Sequence, residues 1–77
     1  MSELRKMVPG KGDVLVAEWD SEVKETVDLT EAEFDRMMGE DGQRLAYATD
    51  EDGENTAIKE FDPGAKTITV VPLGVGG

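Results

Sequence analysis

Leu29-Thr30-Glu31-Ala32-Glu33-Phe34-Asp35-Arg36-Met37-Met38 is the stretch on which the fold turns. Thr30 with Glu33 three residues later is a capping box. The hydroxyl and the carboxylate can each satisfy a backbone N–H that the first helical turn leaves without a partner. Leu29 before the cap and Phe34 at the fourth helical position have the spacing of a hydrophobic staple. Glu31, Glu33 and Asp35 place negative charge at the positive end of the helix dipole. Phe34, Met37 and Met38 then share a face at i, i+3 and i+4, and Gly39 or Gly42 ends the helix. The pattern predicts a short helix of about two to three turns.

Strands are expected on both sides of it. Val14-Leu15-Val16-Ala17-Glu18-Trp19 is rich in β-branched and aromatic residues. The polar stretch 20–25 makes a loop, and Thr26-Val27-Asp28-Leu29 alternates, with Val27 and Leu29 inward. After the helix, Arg44-Leu45-Ala46-Tyr47-Ala48-Thr49 alternates again, with Leu45 and Tyr47 on one side. Asp50-Glu51-Asp52-Gly53 is a turn and Thr56–Phe61 a short strand. In Asp62-Pro63-Gly64 the proline sets φ at the second turn position and the glycine is expected at positive φ after it. Lys66-Thr67-Ile68-Thr69-Val70-Val71 is the last strand.

The predicted order is β-β-α-β-β-β, a two-layer α+β arrangement with a mixed sheet packed on one helix. In it the last strand pairs in parallel with the first at the centre, so Ile68 and Val70 share a core with Val14, Val16 and the Phe34–Met38 face. Residues 1–13, which contain Pro9-Gly10-Lys11-Gly12, are read as a flexible N-terminal segment outside the core. Residues 14–71 are the domain and 72–77 an extended tail.

Composition narrows the function. The 77 residues hold 18 acidic and 8 basic side chains, no histidine and no cysteine, for a net charge of −10. That excludes a disulfide framework, a thiolate nucleophile, an imidazole base and the usual zinc or copper ligands. No apolar run approaches a membrane span and MSELRK lacks a signal-peptide core, so a soluble cytoplasmic protein is expected. The negative surface disfavours nucleic acid and anionic lipid, and self-repulsion favours a monomer that meets basic partner surfaces. A disordered acidic segment is the competing class; the hydrophobic alternation weighs against it.

The chain closes on Pro72-Leu73-Gly74-Val75-Gly76-Gly77. Glycine loses the most backbone entropy on ordering, so a glycine pair there serves stability poorly. It does provide a stalk without side chains that extends at most roughly 20 Å beyond Val71 and presents the Gly77 carboxylate to another protein's active site. A frayed tail is the plainer reading.

The strand order and the ending Val70-Val71-Pro72…Gly76-Gly77 resemble the ubiquitin-like β-grasp superfamily. The tail is most similar to the small subunit of molybdopterin synthase and the thiamin-pathway sulfur carrier. Leu73 and Gly74 depart from that pattern, and the arginines ubiquitin carries before its diglycine are missing. The resemblance implies a substrate and not an enzyme. An activating enzyme would use ATP to adenylate the Gly77 carboxylate, and Gly76, Val75, Gly74 and Pro72 would give access to it. A conjugating enzyme would then join the chain to a target-protein amine through an isopeptide bond. Alternatively a sulfur donor would convert the end to a thiocarboxylate for cofactor biosynthesis or tRNA thiolation. No cofactor or metal of its own is implied; ATP belongs to the partner. A non-covalent acidic binding or regulatory domain remains the third reading.

Other motifs are discounted. Asp50, Asp52 and Glu54 alternate like a calcium loop, but the predicted flanks are strands and Phe61 stands where a glutamate is needed. Trp19 fits an interface anchor but more often is core in so small a chain. Pro9-Gly10-Lys11-Gly12 lacks phosphate-loop spacing. Lys6, Lys11, Lys24, Lys59 and Lys66 are candidate acceptors for chain building, and nothing singles one out.

Overall fold

The computed structural model describes residues 1–39 and 44–72. Five strands and one helix follow in the order β1 (Ser2–Val8), β2 (Gly12–Trp19), α1 (Lys24–Gly39), β3 (Arg44–Thr49), β4 (Asn55–Ile58) and β5 (Thr67–Pro72). The strands form one mixed sheet in the order β2-β1-β5-β3-β4. β1 and β5 are parallel and central, and every other pairing is antiparallel. The expected α+β class, with one helix on a mixed sheet, is what forms.

The N-terminal segment corrects the reading of residues 1–13 as flexible. Ser2–Val8 is a central strand, hydrogen-bonded on one side to β2 and on the other to β5, and Leu4 is fully buried. It is the strand that β5 pairs with in parallel, through Leu4 opposite Ile68 and Lys6 opposite Val70. The stretch 14–19 lies on the sheet's edge instead, with Val14 exposed and Val16 and Ala17 packed against the core. A tight turn joins β1 to β2. Its Lys11 N–H donates to the Val8 carbonyl at 3.0 Å, and Gly10 and Gly12 take φ of +85° and +81°, where a side chain would strain the backbone. Opposite the step from Leu4 to Arg5, β2 carries one extra residue, Val16, between Leu15 and Ala17. This β-bulge resets the alternation so that Ala17 pairs with Leu4.

The helix is also longer and starts earlier than the capping box predicts. Its sixteen residues make roughly four and a half turns and absorb Thr26-Val27-Asp28-Leu29, which is therefore not a strand. Thr30 is no cap. It sits buried in mid-helix, and its hydroxyl points across to the Glu18 carbonyl at 3.4 Å, the long limit for a hydrogen bond. The staple is absent too, because Leu29 is exposed while Phe34 is fully buried. The helix start is organised one turn upstream by Asp20 and Thr26. The Asp20 carboxylate accepts from the Glu22 N–H, and the Thr26 hydroxyl accepts from the Asp20 N–H at 2.9 Å. That hydroxyl also lies 2.7 Å from the Val23 carbonyl. Val27, Thr30, Phe34, Met37 and Met38 form the helix stripe against the sheet, as expected for its last three members.

The core between the layers is Leu4, Trp19, Phe34, Met37, Ala46, Ala48, Ala65, Ile68 and Val70. Aromatic packing closes one end. The Trp19 ring meets Phe61 edge-on at 4.9 Å, Phe61 lies 5.8 Å from Phe34, and the indole N–H donates to the Pro63 carbonyl at 3.0 Å. Trp19 is thus a core residue, with its polar atom satisfied. The Asp62–Ala65 turn closes through the Ala65 N–H on the Asp62 carbonyl at 3.1 Å. Gly64 does not adopt the positive φ expected of it; positive φ occurs at Gly53 in the Asp50–Gly53 turn. The possible helix end at Gly42 lies outside the described residues, and Gly39 is the last helical residue within them.

Candidate functional site

The C-terminal strand is where fold and candidate chemistry meet. β5 is β-branched through Thr67-Ile68-Thr69-Val70-Val71, which suits a strand enclosed on both edges. Ile68 and Val70 point into the core, and Thr69 and Val71 point to the opposite side. Six register pairs tie β5 to β3, from Thr49 opposite Thr67 to Arg44 opposite Pro72. Pro72 has no N–H to donate, so it ends the strand as a ladder donor while its neighbours still hold it. Of the predicted site residues, Pro72 is the one the structure describes, half-buried at the end of β5. Gly74, Val75, Gly76 and Gly77 lie outside the described residues.

The face of the sheet turned away from the helix surrounds this root. In β3 the alternation runs opposite to size: Ala46 and Ala48 are buried, while Leu45 and Tyr47 are 38% and 36% exposed. Leu45 stands opposite Val71, and Tyr47 opposite Thr69. Across the sheet Leu15 pairs with Arg5 and is also exposed. Arg5 is held flat in the middle. Its guanidinium donates to Glu3 at 2.9 Å and to Asp13 at 3.1 Å, and these partners, Glu3 foremost, raise its pKa. The face thus combines a paired cation with exposed Leu15, Leu45 and Tyr47, alongside the carboxylates of Glu3, Asp13 and Glu18.

The sequence has no histidine or cysteine, and among the described residues no cluster of carboxylates is disposed to hold a metal ion. Asp50, foremost of the calcium-loop carboxylates, accepts hydrogen bonds from the Asp52 and Glu54 backbone N–H groups instead. Among the described residues no helix is long and apolar enough to cross a membrane. The exposed side of β3 was not foreseen as part of a site. Its signal was in the sequence, since placing Leu45 and Tyr47 on one face puts Ala46 and Ala48 on the other.

Compared with models of protein families, with curated proteins and with solved structures, the chain finds no match in any of the three.

Proposed function

We propose that the chain is a ubiquitin-like β-grasp modifier whose Gly77 carboxylate is activated by an ATP-dependent enzyme and joined to target amines. The observation that carries this reading is the position of β5. It is a central strand, held by β1 and β3, and it delivers the chain at Pro72 to Leu73-Gly74-Val75-Gly76-Gly77. A tail rooted in a strand paired on both sides starts from a fixed point on the body, and its glycines add no side chains to obstruct entry into a partner's active site. The side of the sheet with exposed Leu45 and Tyr47 and half-buried Val71 lies beside that root and gives a partner something to grip.

The chemistry belongs to the partner. A carboxylate is a poor acyl donor until its oxygen becomes part of a good leaving group. Attack of the Gly77 carboxylate on the α-phosphorus of ATP forms an acyl–adenylate and releases pyrophosphate. A thiolate of the partner then displaces AMP, and a target amine displaces the thiolate to leave an amide. Gly77 supplies the acyl carbon, and no residue of this chain transfers a proton. The reading requires that Gly77 carry a free carboxylate, whether made by synthesis or by cleavage.

The apolar-apolar-proline exit Val70-Val71-Pro72 favours a second reading, a sulfur carrier in which a sulfur donor takes the place of the amine and leaves a thiocarboxylate. Both readings are tested by incubating the chain and ATP with candidate activating enzymes and measuring pyrophosphate exchange. The native chain is expected to support exchange. A chain without Gly77, or with one residue added after it, is expected to fold and to support none. Equal exchange by the blocked chain would defeat both.

A further inference from the structure

At the end of the sheet where β1 and β5 finish and β3 begins, a cavity of about 260 Å³ opens beside the tail root. Met7, Val8, Val70 and Pro72 give it a mostly apolar wall, and Lys6 and Arg44 are its two cations. Lys6 arrives there through the alternation of β1. It lies two residues beyond buried Leu4, on the helix-facing side, opposite Val70. A lysine so placed lays its aliphatic stem along the wall and keeps its ammonium at the wet rim.

Most lysines of this chain have no ion pair with a described residue, and Lys6 is the one of them that lines this apolar hollow. Arg5, Lys24 and Arg36 all form ion pairs. Lys6 forms none with any described residue, although the sequence carries 18 carboxylates. At the opposite pole of the sheet Asp20 and Glu51 share one cavity with Lys66, and Asp50, Glu54 and Asp62 line another. The tail root is thus where an apolar hollow and an uncompensated cation coincide. The hollow falls below the size of pockets that enclose a whole small molecule, about 300–1,000 Å³, and suits a single anchoring side chain.

The geometry points to a docking site for a partner's peptide segment in which one aliphatic or aromatic side chain is flanked by Asp or Glu. The side chain fills the cavity and the carboxylate meets Lys6. This goes beyond the activation of Gly77 and stands or falls separately from it.

The test is a titration of the full chain, followed by NMR, with three capped peptides: acetyl-Glu-Leu-Phe-Glu-amide and its Gln and Lys counterparts. A chain of charge −10 attracts the basic peptide at almost every other point of its surface, so selection of the acidic one is diagnostic. Expected are shifts at Lys6, Met7, Val8 and Val70, with the acidic peptide bound at least about fivefold more tightly than the Gln form at low salt, and the margin shrinking as salt is added. Lys6→Glu should reverse the order in favour of the basic peptide. Should that variant fail to fold, Lys6→Gln should bring the acidic and Gln forms within about twofold of each other. A wild-type preference for the basic peptide, or no shift at these four residues, would overturn the proposal. So would binding that appears only when residues 73–77 are removed, because the chain's own tail would then be the occupant.

Discussion

The two faces of one sheet are built on opposite rules. Toward α1, Leu4, Ala46, Ile68 and Val70 are at most 1% exposed and Ala48 is 6% exposed. Away from it Met7, Leu15, Leu45 and Tyr47 are 36–44% exposed, although all four are large hydrophobic side chains. β3 shows the contrast within a single strand, its alanines inward and its leucine and tyrosine outward. The small inward residues make room for Phe34 and Met37 of the helix, which belong to the same core. The outward ones keep more than a third of their surface open to solvent. Core burial is concentrated on one side of the sheet, and the other leaves large side chains open to solvent.

That division can be broken most forcefully at Leu4. Leu4→Ala empties a fully buried site on a central strand and is expected to cost about 2–5 kcal/mol. Total stability for a domain this size is about 5 kcal/mol, so urea unfolding should find much of the variant unfolded in buffer. A loss below about 1 kcal/mol would mean that β1 is not central. The next contrast sharpens the helix register. Phe34→Ala should cost about 3–5 kcal/mol, whereas Leu29→Ala, on the water side of the same helix, should stay within about 0.5 kcal/mol. Equal costs would restore the staple that the structure removes.

On the open face the expected effect moves from stability to binding. Leu45→Ser and Tyr47→Ser should each cost on the order of 1 kcal/mol, well short of Leu4→Ala. With an activating enzyme that accepts the chain, they should raise KM roughly tenfold with kcat unchanged, the mark of lost uniform binding. A large loss of stability with unchanged KM would place those side chains on the wrong side of the comparison. The smallest effect belongs to Lys24 and Asp28, which pair at 2.7 Å on the exposed helix surface. The Asp28 hydrogen bond and charge raise the Lys24 pKa above its ordinary 10.5. The pair is therefore intact at neutral pH, and on the alkaline side it is lost as pH climbs through the lysine range. Water screens it throughout, so Asp28→Asn should leave the unfolding midpoint at neutral pH unchanged within error.

Much of this was legible in the sequence, and the failures have physical causes. β5 and β3 announced themselves by β-branched content and alternation, and the Phe34-Met37-Met38 face by helical spacing. β1 did not, because Leu4 is its one deeply buried residue and Lys6 follows on the same side. With charged residues at positions 3, 5 and 6, only its neighbours β2 and β5 make it a strand. Thr26–Leu29 read as a strand because Val27 and Leu29 alternate. The true stripe runs Val27, Thr30, Phe34, and a threonine in a core position hid it. The predicted element order survived because two errors compensated: a missed strand at the N-terminus and an invented one before the helix. Of the candidate site, a central last strand was anticipated, but Pro72, read as the first residue of the tail, closes that strand opposite Arg44, and the outward Leu45 and Tyr47 and the cavity at Lys6 needed the register to appear.

The most direct measurement is the intact mass of the chain and of everything covalently joined to it, purified from the cells that make it. The account predicts species equal to this chain plus a target protein less one water, with the new amide at the Gly77 carbonyl and a lysine amine. A chain recovered solely with its Gly77 carboxylate unmodified, or attached through any other residue, would contradict it.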